Sequence, residues 1–228
     1  MLTEKRYELI LQLLEEKKSV TVPEIKEVLG VSESTIRRDL TALDRAGRLN
    51  KVFGGAVAAD AAFTASEPSV AQKMEVQQEE KRRIARYAAG LIENDDFVYL
   101  DAGTTTGCMI DYLSAHGAVF VTNAVSHAKR LAASGFRVIL IGGELKGTTE
   151  AVVGSQAILS IQSFHFTKGF FGTNGISKRY GFTTPDTNEA LVKQTALRQS
   201  EKRYVLADSL KFGSVSSVTF ADFESAKI

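Results

Sequence analysis

Two adjacent arginines, Arg37 and Arg38, stand in the middle of the stretch SESTIRRDLTAL at residues 32–43. An isoleucine and two leucines in this stretch recur at helical spacing, and its first serine is a residue type that commonly begins a helix. If the apolar stripe faces a core, the two guanidinium groups point outward. Such groups bind phosphates and base edges, but on an ordinary solvated helix they only pair with nearby carboxylates. The stretch therefore has two interpretations, a nucleic-acid contact or a charged surface.

A second polar stretch, DAGTTT at residues 101–106, comes directly after the apolar run FVYL at 97–100. A turn of this kind at the start of a helix brings backbone N–H groups and hydroxyls together, which suits a phosphate. The alternative is that the threonines only cap the helix. Three further turns follow apolar runs in the same way, at 122–123, 142–143 and 172–175. Ligands bind at the carboxyl ends of strands in open α/β sheets, so the pattern predicts one ligand crevice.

The elements around the arginine pair predict how it is positioned. Helical periodicity indicates helices at residues 3–17 and 23–29 and a third that begins at Ser32. An alternating stretch at 48–58, interrupted by two glycines, predicts a small hairpin. Three short helices and a Gly-tipped hairpin form a winged helix-turn-helix, in which the third helix enters the major groove and the wing rests on the phosphate backbone.

Charge placement favours the nucleic-acid interpretation. The formal net charge of the 228-residue chain is only +1, so a nucleic-acid surface must be local. Within residues 34–58 the basic side chains are Arg37, Arg38, Arg45, Arg48 and Lys51, against Asp39 and Asp44. A hydroxyl-rich first turn, an arginine pair and a basic wing agree with one another, which a solvated face does not require. The predicted DNA contacts are Ser32, Ser34, Thr35, Arg37, Arg38, Arg48 and Lys51.

The rest of the chain has the pattern of an α/β domain. Short apolar runs occur at residues 97–100, 118–121, 137–141, 168–171, 203–207 and 218–220. Helices are predicted between most of them, at 105–114, 126–133, 155–161 and 188–200. Strands that are apolar on both faces need helices on both sides, which predicts a mostly parallel sheet. No apolar run is long enough to span a membrane.

A linker is predicted between the two parts, because residues 58–69 are small and polar and include Pro68. The predicted organisation is a DNA-binding domain at 1–58, a linker at 59–74 and an effector-binding domain at 75–228. One long helix is expected at 70–92. Its charged run EEKRR, at 79–83, is interpreted as a solvated face, with coupling of the linker to the second domain as the alternative.

Cysteine and histidine usage excludes some kinds of site. The single cysteine, Cys108, rules out an intramolecular disulfide, and it is interpreted as a packing residue. His116, His127 and His165 lack the spacing of metal ligands. We therefore expect no metal, no cofactor and a reducing cytoplasmic location.

Several stretches of this sequence resemble the DeoR family of bacterial transcriptional repressors. In the first part they are VSESTIRRDLTAL at 31–43, GRL at 47–49 and VFGGA at 52–56. In the second part they are EEKRRIA at 79–85, DAGTT at 101–105, TN at 122–123, GG at 142–143, FGTNG at 171–175, EALVK at 189–193 and ADSLKFG at 207–213. The resemblance implies a winged helix-turn-helix and a sensor domain similar in fold to ribose-5-phosphate isomerase. In this family the sensor domain binds a phosphorylated sugar or polyol, and this binding releases the operator DNA.

The resemblance also implies roles for particular residues. Gly103, Thr104, Thr105 and Thr106 would hold the phosphate, Lys193 would neutralise it, Asp101, Asn123 and Glu189 would meet hydroxyls, and Gly143 and Lys211 would complete the effector site. Asp39 is expected to buttress an arginine rather than to contact DNA. The resemblance of the SEST turn and the wing to regulators of fructose utilisation makes fructose 1-phosphate the first effector to test.

Two departures from the family pattern shape the remaining expectations. Thr167 stands where such repressors commonly have an aspartate, which favours binding without turnover over the alternative, an isomerase-like enzyme. The chain also ends at Ile228, where the family normally continues with a short strand and helix, so either a truncated chain or a naturally shortened end is expected. An activator or dual regulator is a further alternative to a repressor. Symmetric half-sites in DNA predict a homo-oligomer, a dimer or a tetramer, whose DNA affinity falls with salt.

Overall fold

The structure is a computed structural model that describes residues 2–17, 19–52, 54–58 and 69–228. Its helices are α1 Thr3–Lys17, α2 Val22–Leu29, α3 Glu33–Arg45, α4 Val70–Glu75, α5 Gln78–Ala89, α6 Thr104–Cys108, α7 Val125–Ala133, α8 Ser155–Gln162 and α9 Thr187–Arg198. Its strands are β1 Ser19–Thr21, β2 Leu49–Val52, β3 Gly55–Ala58, β4 Phe97–Leu100, β5 Val119–Thr122, β6 Arg137–Leu140, β7 Glu144–Lys146, β8 Ala151–Val153, β9 Phe166–Gly172, β10 Gly175–Ser177, β11 Gly181–Thr184, β12 Ser200–Leu206 and β13 Val218–Ala221. Phe53 of the predicted hairpin and residues 59–68 of the predicted linker lie outside the described residues.

The N-terminal part contains α1, α2 and α3 and an antiparallel sheet of order β1-β3-β2. Strand β1 joins the predicted hairpin through pairing of Ser19 with Val57. Ile10 of α1 and Ile36 and Leu40 of α3 are at most 1% exposed and lie in one apolar core. The predicted winged helix-turn-helix is therefore confirmed.

A buried ion pair joins the first and third helices. Arg6 of α1 donates from Nε to Asp39 Oδ2 at 2.6 Å and from Nη2 to Asp39 Oδ1 at 2.9 Å. Asp39 lies on the buried side of α3 beside the apolar stripe. A bidentate contact of this kind fixes orientation as well as distance. The expectation that Asp39 buttresses an arginine is confirmed, and the arginine is Arg6.

The C-terminal part is built on a sheet of order β12-β9-β4-β5-β6, in which every described pairing is parallel. Both faces are apolar. Val98 and Leu100 of β4 pack on the side of α5 and α7, while Tyr99 packs on the side of α8 and α9. Each of the six predicted apolar runs forms a strand, and the predicted α/β fold is confirmed. No helix in the described part of the chain is long and apolar enough to cross a membrane.

Two small antiparallel sheets were not predicted from the sequence. One pairs β7 with β8, and the other has the order β10-β11-β13. Strand β13 was predicted but belongs to this second sheet rather than to the parallel one. The missed strands are only three or four residues long, too short to stand out as apolar runs. Two of the residues of β7 are charged, and β10 and β11 contain glycine, serine or threonine.

The single helix predicted at 70–92 is wrong, because the chain turns between α4 and α5. Val76 is extended, and Gln77 has the left-handed conformation with φ 51°. The Lys81 side chain donates to the main-chain carbonyls of Lys73 and Val76, and this fixes the turn. Lys81 is only 4% exposed. The solvated-face interpretation of the EEKRR run is therefore wrong for this lysine. Helix α4 lies inside the predicted linker, and the domain boundaries stay a prediction.

A polar cluster closes the edge of the parallel sheet where β4 and β9 begin. Lys168 Nζ lies 2.5 Å from Asp96 Oδ2, and Thr167 Oγ1 donates to Asp96 Oδ1 at 2.7 Å. The Glu93 amide also donates to Asp96 Oδ2, at 2.7 Å. Burial alone would raise the pKa of Asp96, but the hydrogen bonds from Lys168, Glu93 and Thr167 lower it below its ordinary value of 3.8.

This cluster predicts a pH-dependent share of stability. Because the pKa of Asp96 is lower in the folded state, its contribution is fully present above the unfolded pKa and is lost as pH falls through the folded pKa. We expect Asp96→Asn to lower the free energy of unfolding by about 2 kcal/mol at neutral pH. Urea unfolding of the unchanged protein and of Asp96→Asn measures the difference in their free energies of unfolding. This difference should be constant near neutral pH and should shrink below pH 4. The exposed neighbour Asp95→Asn is the control, and an equal effect there would contradict the assignment.

Candidate functional site: a lysine-lined cavity and an exposed basic helix

A cavity of ≈ 200 Å³ lies at the carboxyl ends of β4, β9 and β12. Its walls come from α4, the start of α5, the turn into α6, the loop between β7 and β8, α9 and the segment after β12. The lining residues are Val70, Gln72, Lys73, Val76, Lys81, Ala102, Gly103, Thr104, Thr105, Thr149, Gly172, Thr173, Asn174, Glu189, Lys193, Leu206, Asp208 and Lys211. Predicted residues that line it are Gly103, Thr104, Thr105, Glu189, Lys193 and Lys211.

A buried ion pair forms the floor of this cavity. The Lys193 ammonium of α9 pairs with Asp101 Oδ2 and also donates to the Gly172 carbonyl at 3.2 Å. The Gly172 amide donates to the same Asp101 oxygen at 2.9 Å. Asp101 is 1% exposed and Lys193 is 4% exposed. Burial raises the pKa of the Asp101 carboxyl, and its contacts with Lys193 and Gly172 oppose that rise. The pair therefore joins the end of β4, the end of β9 and α9.

Four residues predicted to bind the effector do not line the cavity: Asp101, Thr106, Asn123 and Gly143. Thr106 Oγ1 donates to the Asp101 carbonyl at 2.7 Å and closes the turn into α6. Asn123 Oδ1 accepts from the Ala102 amide at 3.0 Å, and its Nδ2 donates to the Val152 carbonyl at 3.2 Å.

Gly143 acts on the hairpin rather than on the cavity. It has φ 154°, and a Cβ there would lie 2.6 Å from the Val153 carbonyl oxygen. A glycine is therefore needed where β7 meets β8. Together with Thr106 and Asn123, it shapes the segments around the cavity.

Three lysines of the cavity lie near one another. Burial lowers the pKa of Lys81, the carboxylate of Asp208 opposes this, and the ammonium groups of Lys211 and Lys73 lower it further. No carboxylate in the described part of the chain forms an ion pair with Lys81, whose described partners are main-chain carbonyls. An anion between these ammonium groups would reverse the shift. The cluster has the charge and the burial that bind a phosphate.

A buried carboxylate completes this side of the cavity. Asp208 is 1% exposed, and its Oδ1 accepts from the Leu210 amide at 3.2 Å. Its Oδ2 is buried and has no hydrogen-bond partner among the described residues. Glu80 of α5 accepts hydrogen bonds from the Ser209 amide and hydroxyl at 3.1 and 3.0 Å, so the segment is held in place. The Asp208 carboxylate can accept a hydrogen bond from a ligand hydroxyl.

Glu189 lines the opposite side. Its Oε1 accepts from Thr149 Oγ1 at 2.6 Å and from Lys146 Nζ at 2.9 Å. Lys146 also lies 3.1 Å from Asp186 Oδ2. The carboxylate of Glu189 is therefore tied to the hairpin of β7 and β8, with acceptor capacity left for a ligand.

Sequence analysis missed Lys73, Lys81 and Asp208, although two of them carry a signal. Lys81 is four residues before Ala85 and seven before Ala88, so it lies on the buried stripe of α5. A lysine on a buried stripe indicates a specific partner or site. Asp208 comes two residues after the end of β12, so its place resembles that of Asp101 after β4. Lys73 had no such signal, because its part of the predicted helix has no buried residue beside which a lysine would stand out.

Helix α3 presents the predicted DNA contacts on its exposed side, near its N-terminal end. Ser32 Oγ accepts from the Thr35 amide at 3.3 Å and lies 2.9 Å from Ser34 Oγ. Ser32 therefore caps the helix. Arg37 and Arg38 are both exposed. Arg37 forms a loose exposed ion pair with a carboxylate one turn earlier at 3.5 Å, whereas Arg38 forms no ion pair with any described residue.

The wing is attached to the same helix. Lys51 of β2 donates from its amide to Asp44 Oδ1 at 2.8 Å and from Nζ to Thr41 Oγ1 at 2.6 Å. The Thr41 hydroxyl in turn donates to the Arg37 carbonyl at 2.7 Å. Arg48 and Lys51 are exposed. The structure therefore brings the predicted contacts of α3 and β2 onto one connected surface.

Thr167 lies at the start of β9, whereas the cavity is at the other end of that strand, beside Gly172. Its hydroxyl contacts Asp96 rather than the cavity. The use of Thr167 as evidence for binding without turnover is therefore wrong, because this side chain is at the opposite edge of the sheet.

The remaining reactive residue types have ordinary surroundings. Cys108 is half-buried and packs in the core beside α5, and burial raises the pKa of its thiol. His127 is buried with its pKa lowered to about 4 by burial. His116 stacks on Phe136. No group of three potential metal ligands occurs in the ranges that the structure describes.

Two family models match the chain. A DeoR-like helix-turn-helix domain model matches residues 6–62, and a DeoR C terminal sensor domain model matches residues 76–228. These matches agree with the resemblance noted in both parts of the sequence.

Relatives and solved structures are also similar to the chain. FruR of Bacillus subtilis (strain 168), an uncharacterized HTH-type transcriptional regulator, is 42% identical over 229 residues, which cover 100% of this chain and 90% of the relative. The lactose phosphotransferase system repressor of Staphylococcus aureus (strain N315) is 36% identical over 219 residues, covering 95% of this chain and 86% of the relative. Ribose 5-phosphate isomerase A from Neisseria gonorrhoeae matches 61% of this chain and 55% of its own with 17% identity and a TM-score of 0.46, a likeness that carries no argument about function.

The ion pair beneath the cavity predicts a stability effect. Lys193→Met leaves the Asp101 carboxylate buried without its cation, and we expect it to lower the free energy of unfolding by about 3 kcal/mol. The double variant Asp101→Asn, Lys193→Met should recover part of this loss. Lys202→Met, on the exposed part of β12, is the control and should change stability by less than about 0.5 kcal/mol.

Guanidinium unfolding followed by circular dichroism measures all three variants. Equal stability of Lys193→Met and Lys202→Met would contradict the structural role of the pair. Because Lys193 also stabilises the fold, a Lys193 variant can lose its response to a ligand without Lys193 contacting that ligand.

Proposed function

The chain belongs to the DeoR family of DNA-binding transcriptional regulators, and we propose that it represses a carbohydrate-utilisation operon until a phosphorylated sugar binds its C-terminal part. The family is regulatory rather than enzymatic. The observation that carries the proposal is the cavity lined by four lysines, Lys73, Lys81, Lys193 and Lys211, in a chain that also exposes Arg37 and Arg38 on α3. The cavity binds the phosphate group of the effector, and the exposed side of α3 binds the phosphate backbone of DNA.

In the DNA-bound state α3 lies in the major groove. Arg38 and the hydroxyls of Ser34 and Thr35 contact base edges and phosphates near the helix N-terminus. Arg37 contacts a phosphate after leaving Glu33, a loss that costs little because the pair is exposed. Arg48 and Lys51 of the wing contact the backbone, and Ser32 contributes as the helix cap.

In the effector-bound state the phosphate lies between the turn into α6 and the lysine cluster. The Gly103, Thr104 and Thr105 segment offers backbone N–H groups and hydroxyls, and Lys81 and Lys211 supply positive charge. Lys193 is paired with Asp101, and Glu189 is paired with Lys146. The other charged lining side chains are the ammonium groups of Lys73, Lys81 and Lys211 and the carboxylate of Asp208, an excess that matches a phosphate dianion. The carboxylates of Glu189 and Asp208 accept hydrogen bonds from the sugar hydroxyls.

The other predicted effector residues act indirectly. Lys193 is held by Asp101 and reaches the ligand with its remaining N–H donor. Asp101, Thr106, Asn123 and Gly143 shape the cavity without touching the ligand. Some of the predicted effector residues therefore contact the ligand, and the others only position the residues that do.

Fructose 1-phosphate is the effector we propose first. The sequence resembles regulators of fructose utilisation, and the relative named FruR is 42% identical over the whole chain. The Staphylococcus aureus relative is named for a phosphotransferase system, which agrees with a phosphorylated ligand.

We also propose a homo-oligomer in the cytoplasm. Two recognition helices that read symmetric half-sites require at least a dimer, and a tetramer satisfies the same condition. Operator DNA in bacteria lies in the cytoplasm, so a repressor must act there.

Arg38→Ala should weaken operator binding by tenfold or more, because a contact to DNA is lost without a change in the core. Electrophoretic mobility shift at several salt concentrations measures the affinity and its salt slope, which should fall by about one if the contact is to a phosphate. Arg82→Ala, an exposed arginine on α5, is the control. Affinity equal to that of the unchanged protein would show that α3 does not read the operator through Arg38.

A thermal-shift screen of sugar phosphates tests the effector. A true ligand at 100 times its Kd stabilises the folded protein by about 2.7 kcal/mol, and free fructose should have no effect. Lys211→Met should weaken binding of fructose 1-phosphate about tenfold through loss of one charge, whereas Lys202→Met should not. If no sugar phosphate raises the Tm, or if the two lysine variants behave alike, the proposed cavity is wrong.

A further inference from the structure

Helix α4 covers one side of the cavity without being part of the core. None of its six residues is buried, and Met74 is 55% exposed. Val70, Gln72 and Lys73 of this helix nevertheless line the cavity. Apolar burial therefore contributes little to its position, which depends on polar contacts.

Those polar contacts come from segments that line the same cavity. At the start of the helix, the Val70 amide donates to the Thr148 carbonyl at 3.3 Å, next to the cavity residue Thr149. At its end, the buried Lys81 ammonium donates to the carbonyls of Lys73 and Val76. Both ends of α4 are thus attached to the walls of the site.

Lysine side chains line the cavity on both the α4 side and the opposite side. Lys73 belongs to α4, whereas Lys81 and Lys211 belong to the sensor body, and both Lys73 and Lys211 disfavour the charged form of Lys81. A phosphate between them replaces repulsion by attraction. An ammonium has three N–H donors, so Lys81 can bind the phosphate and keep both carbonyls of α4.

We propose that α4 is a strap that a bound phosphate closes over the cavity by bridging Lys73 with Lys81 and Lys211. The inference rests on the proposed function, since it needs a phosphorylated ligand in this cavity. Ser69, the cap of α4, is preceded directly by the segment that leads back to the DNA-binding part of the chain. Closing the strap therefore fixes the end of that segment, and this couples ligand occupancy to the position of the DNA-binding helices.

Hydrogen exchange of the full chain, with and without fructose 1-phosphate and the other members of the sugar-phosphate screen, tests this directly. We expect the amides of residues 70–76 to exchange at least fivefold more slowly when a ligand is bound. Slower exchange only at 101–106 and 189–193 would overturn the strap and leave the proposed function standing. No protection anywhere in the cavity with any sugar phosphate would overturn both.

A substitution at the start of the strap separates it from the ligand contacts. Val70→Pro removes the N–H that reaches Thr148, while proline is favourable at the first position of a helix. The preceding Ser69 already has φ −62° and ψ 160°, which proline requires of its neighbour. Val70→Ala shortens the same side chain, keeps the N–H and is the matched control.

We expect Val70→Pro to need about fivefold more fructose 1-phosphate to release operator DNA, with operator affinity unchanged in the absence of ligand. Val70→Ala shortens the same cavity-lining side chain and keeps the N–H, so the fivefold difference is measured against this variant. Identical release curves for Val70→Pro and Val70→Ala would overturn the strap, whatever the ligand affinity. If Val70 had only a packing role, Val70→Pro and Val70→Ala would need similar amounts of fructose 1-phosphate, because both substitutions alter its side chain.

Discussion

The buried ion pair between Asp101 and Lys193 is the contact on which the geometry of the cavity depends. A carboxylate and an ammonium removed from water are tolerated only when they satisfy each other, so the turn after β4 cannot move independently of α9. The Gly172 amide and carbonyl complete the arrangement from β9. Three elements that are distant in sequence are thus fixed to within hydrogen-bond distances at one edge of the sheet, and the other cavity walls are placed relative to them.

The lysine cluster is held beside this floor by contacts of its own. Lys81 is held by two main-chain carbonyls, and Glu80 of the same helix holds the segment that carries Asp208 and Lys211. Lys81 and Lys211 therefore keep fixed positions relative to the floor. Burial strengthens every interaction they make with an anion, since the surrounding dielectric is low. A site of this kind selects a phosphorylated sugar over the free sugar mainly by charge.

The sequence predicted the scaffold better than it predicted the site, and the reason is physical. Apolar period-two runs and helical stripes report burial, which is why Val98, Tyr99 and Leu100 were placed correctly in a two-faced strand. A cavity is lined by turns and by polar residues, which interrupt these apolar patterns. Thr167 looked important because of its chain neighbour, yet four residues of extended strand separate it from Gly172 at the cavity. Lys81 looked like solvated surface because its charged neighbours outweighed its position on the buried stripe.

A ligand changes operator affinity only if it binds the DNA-competent and DNA-incompetent states differently. Coupling energies of about 1 to 3 kcal/mol are typical of such switches. At an effective dielectric constant near 20, two unit charges roughly 6 Å apart interact with about 2.8 kcal/mol. One repulsion between an ammonium on α4 and one in the sensor body is therefore large enough to account for the whole switch. Since none of the residues of α4 is buried, its position depends on the polar contacts at its two ends, and the charge in the cavity acts directly on those contacts.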